Sequence, residues 1–554
     1  MTHPDDMDPA EIVQQATALL AQGSNDAALV LLIEATRRFP EHAALACRHA
    51  DALHLAKRFD AAAAAYRQAL ALDGKLLDAW YGLGCCRLSA QAYGEAVATL
   101  SRALELRPDA LGARCNLAEA LFKLGQVEDA VRHYIEVAES GDREVQAVAL
   151  DALACIAPGS AAFDNIGVLA LRRHWAERIG KDIHPVLTAP RAPDGKLRIG
   201  YLSAFFGARN WMKPVFGVIN QHDRKRFEIH LLSEGGDPSV SSGYHDHPDD
   251  RIWCISGVPN DVLARHIAQA GLDVLVDLNG YSVQRRLPLF MHRPARRQIG
   301  WFNMYATTGI AAFDCLIGDD AVIPTDEEAC YCERIVRVPG SYLAFTVPYP
   351  VPDVTPPPCL ATGRLTFGCL GSAYKITDAV VAAWSRILRA APGSRLLLKN
   401  RTLDDASNRV AQLARFAGHG VAEQQLVLEG PEEHFAFLQT YARVDIALDT
   451  YPYNGGTTTT EALWQGVPVL SFNGDRWASR TSRSLLLAAG MSEWVTANED
   501  AYIGAAIRLA LAAATPNHLA GLRAGLRRRL LASPACDPAT LCRALEALYI
   551  AEAA

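Results

Sequence analysis

"VDIALDTYPYNGGTTTTEALWQGVPVLSF", residues 444–472, decides the fold of the second half of this chain. A short apolar run, VDIALDT, reads as a buried strand. A turn built from Pro452, Asn454, Gly455 and Gly456 follows, then the helix-like TTTTEALWQG and a second apolar run, VPVLSF. Strand, helix and strand in that order make a parallel-sheet unit with its helix packed on one face. The junction itself is informative. Two glycines let the backbone come close to a ligand. Free N–H groups and the positive end of the helix dipole favour an anion there, and Thr457 and Thr458 add hydroxyl donors. Thr458-x-x-Glu461 also spells a capping box, in which each side chain satisfies an N–H of the other. Capping explains one threonine and the glutamate. It leaves both glycines and the other threonines open to an anion-binding role.

The same alternation extends outward. LTFGCL (365–370), SRLLLKN (394–400) and QLVLEG (425–430) read as further strands of this half. Before them, VPYPVPDVTPPPCLATG (347–363) is rich in proline and reads as a linker. An earlier set of strands is expected at KLRIGYLSAFFG (196–207), FEIHLLSEG (227–235), LDVLVDLNGY (272–281) and RRQIGWFNMY (296–305). Two successive doubly wound domains with a hinge predict a cleft between them, with ligand at the carboxyl ends of the strands.

The front of the chain follows a different rule. Ala16, Ala50, Gly84 and Ala118 recur at one interval, as do Ala28, Ala62, Ala96 and Ala130, and Ala35, Ala69, Ala103 and Val137. The period is that of a tetratricopeptide array, a solenoid of helix pairs whose small residues mark close helix approaches. DAWYGLGCCRLSAQAYGEAVATLSRALELRP (78–108) is the clearest copy. Four repeats are expected over residues 8–142, then a helical connector over 143–190, one α/β domain over 195–350 and another over 360–554. Arrays of this kind present a concave surface to a peptide or protein.

Composition narrows the partners. The 554 residues are 50% hydrophobic and 21% charged, with a formal net charge of −7, so nothing global invites nucleic acid or a membrane surface. The first residues, MTHPDDMDPAEIVQQ, are acidic and do not read as a secretory signal, and no run is apolar enough to suggest a membrane span. Thirteen cysteines without a C-x-x-C pair read as reduced thiols, which suits a cytoplasmic protein. YHDHPDD (244–250), with His245, His247 and Asp249, reads as a polar loop and not a metal site. GLRAGLRRRLL (521–531) reads as a solvated basic helix face.

ARVDIALDTYPYNGGTTTTEALWQGVPVLSF (442–472), AYKI (373–376), DLNGY (277–281), RPARRQIGW (293–301) and GDRWASR (474–480) together resemble the O-GlcNAc transferases and their SPINDLY-type relatives, glycosyltransferase family 41. The likeness covers residues ~195 to 540, and the repeats in front complete the family architecture. It implies a tetratricopeptide α-solenoid followed by a GT-B fold of two Rossmann-like domains. It also implies a metal-independent, inverting transfer from a nucleotide sugar such as UDP-GlcNAc to a Ser/Thr hydroxyl of a protein held by the repeats. No cofactor or metal is implied, since the nucleotide sugar is a substrate. Lys375 matches the lysine on the donor diphosphate, where its charge would offset that building on the leaving phosphate. Thr457 and Thr458 match the diphosphate-binding threonines, with Ser372, Asn454, Gly455 and Gly456 around them. Glu461 matches an acidic residue at the ribose, and His434 a histidine near the base, here displaced by about three residues.

The departures concern the other wall of the expected cleft. Where the family has a histidine often proposed as catalytic, this chain has Arg209, and Lys213 stands where a second histidine is found, or, if the segment carries an insertion, Lys213-Pro214-Val215 is the displaced match to the family's His-Pro-Val. A guanidinium stays charged and takes no proton, so Arg209 is no general base. The family's Gly-Tyr-Pro-Gly turn is replaced by Asn303, Met304, Tyr305 and Ala306, the first three expected to face donor sugar and acceptor. With Lys375, Arg209 and Lys213 as catalytic candidates, three readings stand: transfer with another base or late proton loss; a different, anionic donor such as a CMP-nonulosonic acid, on a dedicated acceptor such as flagellin; or a non-catalytic scaffold. The asparagine ladder of O-GlcNAc transferases also fails here. Its places hold Gln14, Arg48, Gly82 and Asn116, so the acceptor is expected to be held by other side chains.

Overall fold

The computed structural model describes residues 7–188, 195–208, 210–238 and 243–553. The chain forms two compact units, one of Met1–Leu150 with Asn400–Arg415, the other of Asp151–Lys399 with Phe416–Ala554.

In the first unit, helices pair antiparallel at 9–21 and 25–38, 43–55 and 59–72, 77–89 and 93–106, and 111–123 and 127–138. These four helix pairs occupy the stretch 8–142 in which four repeats are expected. The small-residue columns fall where helices touch: Ala16, Ala50, Ala118, Ala28, Ala62, Ala96 and Ala130 are all fully buried. A Cβ on Gly84 would lie 2.5 Å from Leu100 Cγ, which explains the glycine in that column. The ladder positions hold other chemistry. Arg48 pairs with Asp51 at 2.8 Å and Asp78 at 2.5 Å. Gly82 is covered by Tyr66, whose hydroxyl donates to Asp51 Oδ1 at 2.5 Å. Asn116 reaches Cys85 Sγ at 3.2 Å.

Helix 406–417 comes from the second half of the sequence, yet the segment Asn400–Arg415 belongs with the repeats. Asn408 accepts from Gly94 N at 2.9 Å and donates to Gln91 O at 2.7 Å. Arg415 donates to Leu124 O and Gly125 O at 2.8 and 3.2 Å.

The second unit holds two parallel sheets. Strands β1 (Leu197–Ser203), β2 (Phe227–Ser233), β3 (Arg251–Cys254), β4 (Val274–Asp277), β5 (Arg297–Gly300), β6 (Cys315–Gly318) and β7 (Arg334–Arg337) order as β3-β2-β1-β4-β5-β6-β7. Strands β8 (Thr366–Cys369), β9 (Arg395–Lys399), β10 (Leu426–Glu429), β11 (Ile446–Leu448), β12 (Val469–Phe472) and β13 (Val495–Thr496) order as β10-β9-β8-β11-β12-β13. The chain reverses direction across each sheet at β1/β4 and at β8/β11. Those are the switch points where a crevice opens.

Two expectations are corrected. The last helix, 538–553, was expected to belong with the second lobe. It packs on the first: Tyr549 meets Tyr201 at 3.1 Å and Glu546 meets His222 at 3.1 Å, both within a buried apolar setting that needs these partners. The basic helix 515–531 is not simply a solvated face. Arg523 is buried and donates to Val444 O at 2.6 Å and Tyr441 O at 3.2 Å, and Arg527 donates to Trp464 O at 2.5 Å. Their guanidiniums satisfy carbonyls at element ends, a use that the charge pattern alone conceals. GDRWASR (474–480) straps the lobes together. Arg480 grips Glu327 with two bonds of 2.6 and 2.8 Å, and Arg476 donates to Ser160 O and Phe163 O at 2.9 and 2.7 Å.

Candidate functional site

The loops after β8 and β11 meet at the second switch point. Asp449, just past β11, is buried and accepts from Gly455 N at 2.9 Å and Ser471 Oγ at 2.6 Å. This pins the glycine turn. A Cβ on Gly455 would sit 2.4 Å from Thr459 Oγ1 and 2.9 Å from Thr458 Oγ1, so the turn closes only around glycine. A Cβ on Gly456 would meet nothing nearer than Thr481 Cγ2 at 3.5 Å.

Helix 457–464 starts at Thr457 with Gly456 as its cap and no side-chain capping bond. The Thr458–Glu461 capping box is therefore not formed. Glu461 lies one turn in, turned toward Lys213, whose Nζ is 2.5 Å from Glu461 Oε1. Thr459 bonds Ser482 Oγ at 2.8 Å and Thr460 reaches back to Gly456 O at 3.3 Å. The four threonines thus divide: the last two are buried and used by the fold, while Thr457 and Thr458 line a cavity of about 540 Å³.

Gly371, Ser372 and Lys375 from the β8 loop, Gly456, His434 and Glu461 line the same cavity. Lys375 Nζ donates to Asn454 O at 2.9 Å and lies 4.0 Å from the centre of the Tyr453 ring. Loss of hydration lowers its pKa to about 8, against a smaller opposing pull from Asp449. Asn454 does not line the cavity. Its side-chain amide is buried with neither atom hydrogen-bonded, an unusual state for a polar group.

The opposite wall comes from the first lobe: Asn210, Trp211, Phe302, Tyr305, Leu343 and Phe345. Arg209 lies outside the described residues. Lys213 is buried at the start of helix 213–220 and does not reach the cavity, because Glu461 holds its ammonium. Asn303 and Met304 also sit below the wall. Asn303 donates to Asn279 O and Ser282 Oγ, both at 2.8 Å, and the Met304 sulfur packs 3.1 Å from where a Cβ on Gly300 would be. Tyr305 alone of the three faces inward, its ring 4.9 Å from that of Tyr453 and tilted by 55°, with φ +58°. Phe302 has φ +75°, so two bulky residues hold the left-handed conformation in one short loop, a strain that concentrates at functional sites.

Sequence reasoning passed over the aromatic lining, Trp211, Phe302, Tyr374 and Tyr453, and the acidic pair Glu432 and Glu433. Tyr453 was within the glycine-threonine stretch and could have been found there. Tyr374 lies within AYKI (373–376) and was equally within reach; the others carry no motif, and an aromatic residue in sequence reads first as core. Away from the cavity, His222, Cys542 and Glu546 approach one another closely, but Tyr201, Asp223 N and Arg543 complete their hydrogen bonding.

The pattern of Glycosyl transferase family 41 matches residues 178–346 and 360–545, and tetratricopeptide patterns match 13–76, 58–111 and 87–152. The chain belongs to glycosyltransferase family 41. Within that family it is similar to a protein of Solanum lycopersicum named as a probable UDP-N-acetylglucosamine--peptide N-acetylglucosaminyltransferase SPINDLY, 31% identical over 389 residues. That alignment covers 68% of this chain and 41% of the tomato protein, so the chain spans less than half the length of this relative. A relative of Arabidopsis thaliana, named as the corresponding probable enzyme SEC, is 27% identical over 64% of this chain and 37% of its own length. Among solved structures, a mutant of the Thermobaculum terrenum O-GlcNAc transferase is similar at a TM-score of 0.68 and 29% identity, covering 100% of this chain and 98% of that one. In family 41 terms, the solenoid and the two parallel-sheet lobes are the expected architecture. No helix among the described residues is long and apolar enough to cross a membrane.

Proposed function

We propose that this family 41 protein transfers a sugar from a nucleotide-sugar donor of the UDP-GlcNAc type to a Ser/Thr hydroxyl of a protein recognised by the repeats, with inversion and without a metal. The observation that carries the reading is the meeting of Lys375, Thr457, Thr458 and a glycine-entered helix N-terminus on one wall of one cavity at the β8/β11 switch point. Such a cluster offers an ammonium, two hydroxyls and unpaired first-turn N–H groups to a diphosphate.

In transfer, the acceptor oxygen forms a bond to the sugar anomeric carbon as the bond from that carbon to the diphosphate breaks. Negative charge grows on the departing phosphate, and Lys375 with the helix N-terminus stabilises it. The acceptor proton leaves late, to water or to a phosphate oxygen. Glu461, one helical turn beyond the threonines, and His434, at the start of helix 434–439, take the nucleoside end. The anionic-donor reading is weakened because Lys213, one of its two cations, is already neutralised by Glu461.

A thermal-shift screen across UDP-, GDP- and CMP-sugars tests the reading. At 100-fold Kd a bound donor adds about 2.7 kcal/mol of stability. A shift with UDP-GlcNAc that disappears in Lys375→Ala is expected. No shift with any nucleotide sugar would leave the protein a scaffold, and a preference for a CMP-sugar would favour the anionic donor.

A further inference from the structure

Lys213 and Tyr349 lie outside the donor cavity, yet they back the two residues that would read the donor's nucleoside. Lys213 comes from the first lobe, Tyr349 from the proline-rich linker between the lobes, and His434 and Glu461 from the second lobe. The four close into a ring. Lys213 Nζ is 2.5 Å from Glu461 Oε1 and 5.3 Å from the centre of the Tyr349 ring. The Tyr349 hydroxyl is 2.9 Å from His434 Nε2, with the two rings edge to face at 5.1 Å and 85°. His434 Nε2 is in turn 3.8 Å from Glu461 Oε1. The ion pair is almost wholly removed from water, with side-chain exposures of 2% and 8%.

A buried ammonium and a buried carboxylate each need the other. Here each partner sits on a different lobe, so the pair is satisfied only when the lobes and the linker hold this arrangement. The same contact fixes which oxygen of Glu461 is occupied by the protein. Oε1 is taken by Lys213, and the glutamate so held lines the cavity. Tyr349 does the equivalent for His434, since a bond at Nε2 sets the ring's orientation.

We infer that Lys213 and Tyr349 are positioning residues for nucleotide recognition, which they govern across the lobe boundary by holding Glu461 and His434 in place. The inference rests on the proposed use of this cavity for a nucleotide sugar. It gives Lys213 a role that a histidine substitute would not suggest: it takes no proton and touches no substrate.

Calorimetric titration of the full chain with UDP, taking as probe the nucleoside diphosphate that the proposed donor releases, tests the inference through a double-mutant cycle. Lys213→Met and Glu461→Gln are each expected to weaken UDP binding at least tenfold. The double variant is expected to be no worse than the weaker single one, because both remove the same contact. Lys213→Arg keeps the cation and is expected to recover most of the affinity. Tyr349→Phe keeps the ring and removes only the hydroxyl, so it is the variant least able to disturb folding. A threefold to tenfold loss with an unchanged unfolding midpoint is expected from it. Wild-type affinity in folded Lys213→Met and in Tyr349→Phe, or losses that multiply in the double variant, would overturn the inference while leaving the proposed function standing. A wild-type protein that binds no UDP would overturn the UDP-type reading of the cavity, and this inference with it.

Discussion

Lys375 carries the sharpest consequence at the scale of a residue. Its pKa is lowered to about 8 because the ammonium has lost water without gaining a close carboxylate. The fold therefore favours the neutral amine, and a bound diphosphate favours the charged one. Below about pH 7 the side chain is already protonated and binding takes up no proton. As pH rises through about 8, the free protein loses the charge that the complex keeps. Donor affinity should then fall by up to about tenfold per pH unit, and each binding event should take up close to one proton by about pH 9. Titration calorimetry in buffers of different ionisation enthalpy reads that uptake directly. Affinity that is flat from pH 6.5 to 9.5 would place the ammonium away from the phosphates. The residue scale is also where sequence spoke most unevenly. Thr457 and Thr458 could be named because a helix entry has a local signature, and Lys375 because AYKI (373–376) carries the family resemblance. Lys213 could be named but not understood, because its partner lies 248 positions away. Asn303 and Met304 could not be told from wall residues, because a turn's sequence does not say which side chains it tucks under.

At the scale of elements, most strands were legible as apolar runs, whereas the interior strand β6 and the short edge strands β3, β7 and β13 were not. β1, β2, β4, β5 and the five strands from β8 to β12 all coincide with expected runs of apolar residues, β10 doing so even at a sheet edge. β3, at the sheet edge, is Arg-Ile-Trp-Cys with its ends exposed, and β13 has two residues, so neither leaves a pattern. Helix 406–417 was legible as a helix between β9 and β10, but not as a part of the repeat unit, because helix amphipathicity does not name the surface it meets. That placement carries a prediction. Asn408 is 1% exposed and satisfies Gly94 N, Gln91 O and Thr402 O. Asn408→Leu leaves three backbone groups without their partner, at about 1–3 kcal/mol for each that stays buried. The repeat unit should lose stability on the order of 2–4 kcal/mol, read as a shift in chemical denaturation followed by the helical signal. A change under about 0.5 kcal/mol, the size usual for surface substitutions, would show that the segment merely lies on the surface.

At the scale of the whole second unit, holding the lobes together and lining the cavity are tasks of different residues. The strap residue Arg480 has two bonds to Glu327 and a third to Gly474 O at 2.7 Å, and it does not line the cavity. Lys375 lines the cavity, and among the described residues its side chain has a single hydrogen-bond partner, Asn454 O. The sequence motif GDRWASR was legible as part of the family likeness, but its work as an inter-lobe strap needed coordinates, since both of its arginines bind groups more than 150 positions away. This division predicts opposite behaviour for two substitutions. Arg480→Met leaves Glu327, whose side chain keeps 18% exposure, without its bidentate partner and should cost about 1–3 kcal/mol, less than a fully buried pair would. The folded fraction should still bind donor nucleotide within about threefold of wild type, well under the 1.4 kcal/mol that a tenfold change represents. Lys375→Ala removes a charge that folding disfavours, so its unfolding midpoint in the absence of ligand should match or exceed wild type while nucleotide binding is lost. Measuring unfolding with and without nucleotide for both variants resolves the two axes. If Arg480→Met abolished binding at full stability, the strap would be part of the donor site. If Lys375→Ala unfolded the protein, its ammonium would be a structural group and the cavity's diphosphate wall would need another cation.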